Sequence, residues 1–219
     1  MIKTAALRFL AFTLLACLSN FSHANFVVYT AQSDFLAATT SQGVDTFSGL
    51  DIFGPTPSPL VRNAGTFGYT AAVSTTTFYG AGTTANPWLS TNTASDSITF
   101  SNFTNGVQAI GANFFGSNIS GTYQLGSILI TATDLDGVVS QTIVNAAVAS
   151  FLGFVSTNDL LSLTVSAIQP SAGFLWPTVD NLTLALRAPP VGDVPEPASM
   201  ALLLAGLGIM AMLARRRGA

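Results

Sequence analysis

Between residues 25 and 194 this 219-residue chain has no His, no Cys, no Lys and no Glu. The lone Cys17 and the lone His23 both lie before that stretch. These absences remove whole classes of chemistry. A Ser-His-Asp triad, a Cys-His pair and a lysine base each need a residue that is missing. A zinc site with His or Cys ligands is excluded for the same reason, and no disulfide can staple the stretch. Charge is scarce too: nine Asp stand against Arg62 and Arg187, a net −7. An acidic body with two separated arginines has no electrostatic footprint for nucleic acid.

What remains is rich in Thr, Ser, Ala, Gly, Asn, Val and Phe, a composition that suits strands and tight turns. Asn25 to Tyr29 reads as a first strand. Ser33 to Ala38 reads as a helical turn with Ser33 as N-cap. Val44 to Leu50 is expected to be a short strand, and Ile52 to Ala64, with Pro55, Pro57 and Pro59, a loop. Thr66 to Phe78 carries one or two strands. Ser97 to Phe103, Val107 to Phe115, Tyr123 to Thr133 and Val138 to Val144 follow as strands. Asp134-Leu135-Asp136-Gly137 is a hairpin signal, because Asp-Gly suits the positive φ of a tight turn. Leu161, Leu163 and Val165 alternate with Ser162, Thr164 and Ser166. Leu182, Leu184 and Leu186 alternate with Thr183, Ala185 and Arg187. One-sided strands at such spacing predict an all-β, antiparallel, jelly-roll-like β-sandwich over residues 25–187. Residues 188–194 (APPVGDV) form a linker.

Three site chemistries survive the filter. Paired Asp side chains can hydrolyse glycosides, but Asp is also common at turns, where its carboxylate bonds nearby N–H groups; no catalytic residue is assigned and the body is not expected to be an enzyme. Asp134 with Asp136, or Asp180 with Asn181, offers hard oxygen ligands for Ca²⁺, although the turn alone also accounts for Asp-Leu-Asp-Gly. No other cofactor is expected. Tyr79, Trp88, Tyr123 and Trp176 are the rings available to a glycan, or else to the core and its rim. Asn102, Asn118 and Asn181 begin N-x-Ser/Thr triplets, which a Ser/Thr-rich chain produces by chance.

The two ends differ from the body. Lys3 and Arg8 precede an apolar run, Phe9 to Leu18, and Ser22-His23-Ala24 supplies small residues for signal peptidase. Residues 1–24 are therefore expected to be a signal peptide, cut between Ala24 and Asn25. Leu14-Leu15-Ala16-Cys17 is a rival, lipobox-like reading that would lipidate Cys17. At the other end, Pro195, Glu196 and Pro197 precede the uncharged run 198–214, and Arg215, Arg216 and Arg217 follow it. Seventeen helical residues reach about 25 Å, marginal for a hydrocarbon core of roughly 30 Å. The prolines fit only the first turn of such a transmembrane helix, and the arginines belong on the cytoplasmic side. A plain single-pass anchor accounts for the hydropathy.

The order Pro-Glu-Pro, apolar helix, Arg cluster over residues 195–219 resembles the PEP-CTERM sorting domain of exported bacterial proteins. That resemblance implies an exosortase as the processing partner, with cleavage near the tripeptide. It also implies passage through the inner membrane to the cell surface or an exopolysaccharide matrix. The pieces FVVYT, SDFLAA, VDTF, GANFFG, FLGFVS and VDNLTLAL of the body are similar to the sandwich bodies such proteins often carry. From these readings the expected role is structural or adhesive; the alternative is a carbohydrate-binding module.

Overall fold

The computed structural model describes residues 26–75 and 77–189. The segment expected to be a signal peptide, its expected cleavage site at Ala24 and Asn25, and the sorting segment from Pro195 to Arg217 lie outside the described residues. Among the described residues, no helix is long and apolar enough to cross a membrane.

Alternating small polar and apolar residues draw the body into strands. The first half gives β1 (Val27–Tyr29), α1 (Gln32–Ala37), β2 (Thr39–Asp45), β3 (Pro55–Pro57), β4 (Leu60–Ala64), β5 (Phe67–Val73), β6 (Thr77–Gly82) and β7 (Pro87–Thr91). The second half gives β8 (Ser97–Ser101), β9 (Ala109–Ser117), β10 (Tyr123–Gln124), β11 (Gly126–Asp134), β12 (Val138–Ala146), β13 (Phe151–Val155), β14 (Leu160–Ile168) and β15 (Trp176–Arg187). They form two antiparallel sheets. The first runs β1-β13-β9-β15-β7-β6-β3, with β10 also on β9 and β2 also on β15. The second runs β12-β11-β14-β8-β5-β4.

One buried cluster joins the facing sides. Phe78, Leu89, Phe114 and Val179 from the first sheet meet Tyr69, Phe100, Ile130 and Val165 from the second. The expected alternation holds at Ile98 and Phe100, both fully buried. A smaller cluster covers the outer side of the first sheet, where Phe35 of α1 packs with Ala109, Phe151, Val155 and Ala185. Gly153 makes that seat, since a Cβ there would overlap the Phe35 ring. Ala185 is therefore buried, not solvent-facing as one-sided alternation suggests.

Four local expectations are corrected. The helix starts at Gln32 with Ala31 at its N-cap, so Ser33 lies inside the first turn; its Oγ donates to Asp34 Oδ1 at 3.2 Å. The strand expected over residues 44–50 instead ends at Asp45, whose Oδ1 accepts the Phe47 N–H at 2.7 Å while Phe47 takes φ 54°. Residues 52–64 contain two strands rather than a loop: β3 and β4 are both sheet edges, where a missing N–H is tolerated. Leu161 is 47% exposed, because the register shifts between the pairs Thr133↔Ser162 and Asp134↔Leu160 and turns Leu160 inward instead.

Candidate functional site

The outer side of the first sheet is open where β6, β7, β15 and β9 lie side by side. Register sets which residues share that side: Tyr79 pairs with Ser90, Ser90 with Thr178, and Ser117 with Trp176. Ser90 and Ser117 form a floor, with the fully buried Thr178 beneath it. Thr178 Oγ1 donates to Ser117 Oγ at 2.8 Å, and Ser90 Oγ donates to the Pro177 carbonyl at 3.0 Å. Tyr79 and Trp176 flank a cavity of about 290 Å³ over this floor, with Asn92 and Asn118 at its rim.

Two neighbouring depressions extend the cavity into a groove. One, of about 440 Å³, shares Asn92, Ile119 and Trp176 and adds Gln169 and Phe174. The other, of about 290 Å³, shares Tyr79, Ile119 and Gly121 and adds Ile52 and Phe53. Ile119, Phe53 and Phe174 are 83%, 78% and 67% exposed, so three large apolar side chains stand in water along one groove. Among the described residues, no charged side chain lines it.

The rings are held in place by the backbone. Tyr79 OH donates to the Phe53 carbonyl at 2.9 Å, and Trp176 Nε1 donates to the Asn92 carbonyl at 3.4 Å. Phe174 meets Trp176 edge to face at 6.2 Å. Gln169 clamps the approach to β15: its Nε2 donates to the carbonyls of Ala94 and Leu175, and its Oε1 accepts the Leu175 N–H. The loop carrying Ile119 is tied through Asn118 Oδ1, which accepts the N–H groups of Ser120 and Thr122. Gly121 sits at φ 69° with its open side against Ala81 of β6, a conformation and a closeness that favour glycine. Its carbonyl accepts the Gly82 N–H at 2.8 Å.

Of the four rings expected for a glycan, the fold brings Tyr79 and Trp176 together here. Trp88 and Tyr123 lie elsewhere, both against Phe115, with centroids at 4.9 and 6.3 Å. Tyr123 OH donates to the Ala146 carbonyl. Phe53, Phe174, Ile119 and the hydroxyl floor carry no pattern of their own in the sequence; only strand register and loop packing assemble them.

The carboxylates serve the fold. Asp134 Oδ1 accepts the N–H groups of Asp136 and Gly137, both at 2.8 Å, and Ser156 donates to Oδ2 at 2.5 Å. The hairpin is thus held by this Asp and not by positive φ, which Gly137 does not adopt. Asp136 Oδ2 accepts from Asn158 at 2.7 Å. Among the described residues, no three acidic, His or Cys side chains are grouped to hold a metal. We expect the melting temperature to be the same in millimolar calcium and in chelator; a calcium-dependent rise would restore Asp134 with Asp136, or Asp180 with Asn181, as candidate ligands.

Whereas Asp134 ends β11 of the second sheet, Asp180 is buried in the first sheet beside the bulge at Asn181. Burial pushes its carboxyl above the usual range, against the Asn181 N–H at 2.8 Å and Asn86 Nδ2 at 3.5 Å. The Trp88 indole N–H lies toward the same carboxylate without closing a hydrogen bond of normal geometry. A raised folded pKa favours the fold at low pH, and that benefit is lost as pH rises through it. Asp180→Asn is therefore expected to raise the melting temperature at pH 7, with the gain shrinking toward pH 4. A variant equal to or below the parent at pH 7 would refute this.

Beyond the body, residues 193–217 match the family model of the PEP-CTERM protein-sorting motif. This chain carries a PEP-CTERM sorting motif. The match takes in Pro195, Glu196, Pro197 and Arg215 to Arg217. Such a motif marks an exported protein that is sorted and processed as an exosortase substrate. The match covers the tail and none of the described residues. No curated protein matches the chain.

Proposed function

We propose that this is a non-catalytic structural or adhesive protein of the cell surface or an exopolysaccharide matrix. Signal peptidase cuts between Ala24 and Asn25, and the helix over residues 198–214 holds the chain in the inner membrane until an exosortase cleaves near Pro195 to Pro197. The PEP-CTERM tail next to an acidic body is the observation that carries this reading. A jelly-roll-like sandwich is the form we assign to that body. Two features support a passive role. The acidic side chains with assigned partners are occupied by turns, hydroxyls, Asn amides or Arg62, and among the described residues the groove is lined by none.

The test is deletion of the gene in the source cells. Weaker cell-to-cell or cell-to-matrix cohesion, with polysaccharide chain length unchanged, is expected. Shorter polysaccharide after incubation with the purified protein would instead make it a glycoside hydrolase. The groove favours a second reading, a carbohydrate-binding module, on the strength of its exposed rings.

A further inference from the structure

We propose that the groove across β6, β7 and β15 binds a single chain of an uncharged polysaccharide. This deepens the adhesive reading and rests on it for the polymer's place outside the cell. Sugar rings present apolar C–H faces and a belt of hydroxyls, so their sites combine aromatic walls with short polar groups. Tyr79 and Trp176 supply the walls, Ser90 and Ser117 the floor, with the buried Thr178 bonding to Ser117 from beneath, and Asn92 and Asn118 the rim. Two depressions continue past the central cavity toward Phe53 on one side and Phe174 on the other. That extension fits a chain running through rather than one sugar docking end-on.

Charge sets the class. The groove offers no cation to a carboxylate or sulfate, and the surrounding body is net negative. An acidic polymer would be desolvated and repelled there. A neutral one meets no such repulsion. The exposure of Ile119, Phe53 and Phe174 also gains a cause, since exposed apolar groups gathered along one groove mark a binding surface.

Affinity electrophoresis of the full chain in mild detergent tests this. Gels carry either a neutral polymer (mixed-linkage glucan, galactomannan, xylan or galactan) or polygalacturonate. At least one neutral polymer is expected to retard the protein, with little salt dependence, and polygalacturonate not to. The matching hexasaccharide is expected to compete well and its monosaccharide poorly. Trp176→Ala and Tyr79→Ala are each expected to weaken retardation about tenfold, and Trp176→Phe to keep part of it. Tyr123→Ala, outside the groove, should leave it unchanged. Melting curves identify any variant that fails to fold, in which case hexasaccharide protection of Trp176 fluorescence from quenching decides.

No retardation on any neutral polymer, stronger retardation on polygalacturonate, or full retardation of Trp176→Ala would overturn the proposal. So would a dimer that Ile119→Ser abolishes, which would give the groove to a second copy of this chain. Each of these leaves the sorted, cell-surface reading intact, because processing of the tail is measured separately.

Discussion

Replacing Arg62 with Met is expected to cost the body about 3 kcal/mol of stability, toward the lower end for breaking a buried ion pair. Arg62 Nε and Nη2 donate to the two oxygens of Asp45 at 2.7 and 2.8 Å. Tyr69 OH and the Phe47 N–H donate to the same carboxylate at 2.7 Å each, and the guanidinium lies 5.6 Å from the Phe47 ring centre. Asp45 is buried, so removing the arginine leaves a carboxylate without its counter-charge. In a body of this size the loss corresponds to roughly 6–12 °C in melting temperature. Adding Asp45→Asn to Arg62→Met is expected to recover most of it, since no stranded charge remains. A single variant within about 1 °C of the parent would show that this network does not hold the fold.

The same group gives the acid behaviour a sign. Burial pushes the Asp45 carboxyl up, but Arg62, Tyr69 and the Phe47 N–H more than reverse this and hold it below its ordinary 3.8. A depressed folded pKa contributes stability that is full above the ordinary value and is lost as pH falls through the folded one. Stability from this source should therefore decline below about pH 4. Arg62→Met should lack that decline.

Changing Pro195, Glu196 and Pro197 together to Ala is expected to stop processing of the tail altogether. The three residues lie inside the matched sorting motif, and the body ahead of them contains none of the motif. Nothing in its fold should respond to the change. The expected result is an intact chain retained in the membrane fraction, a fall of at least about tenfold in the released or surface form, and an unchanged melting curve. Normal release of the triple variant would place the recognition elsewhere in the tail.

How much could be read from the sequence follows from where the information lies. Two-residue alternation gave the faces of β8 and most of β14, and it gave the antiparallel class. It failed at Leu161 because a register shift swaps the faces there, and no residue type announces such a shift. It failed at Ala185 because α1, far away in sequence, covers the second side of β15. The prolines at residues 55 and 57 suggested a loop, and only the sheet order shows that β3 is an edge.

For the site, aromatic identity named Tyr79 and Trp176, which line one cavity, but could not separate them from Trp88 and Tyr123, which pack against Phe115 instead. The floor of Ser90 and Ser117, and the buried Thr178 that bonds to both, come from three strands spread over nearly ninety positions. The Asp45–Arg62–Tyr69 network was likewise invisible, because its three members come from β2, β4 and β5 and meet only once those strands are packed. The sorting motif of the tail was legible, since its parts are contiguous and need no fold to bring them together.

The most direct test of the account is the mass of the C-terminal peptide of the protein recovered from the outside of its own cells. An end near Pro195 to Pro197, with Arg215 to Arg217 gone, is the predicted result. An intact Ala219, found only in the membrane fraction, would contradict it and leave the tail a plain anchor.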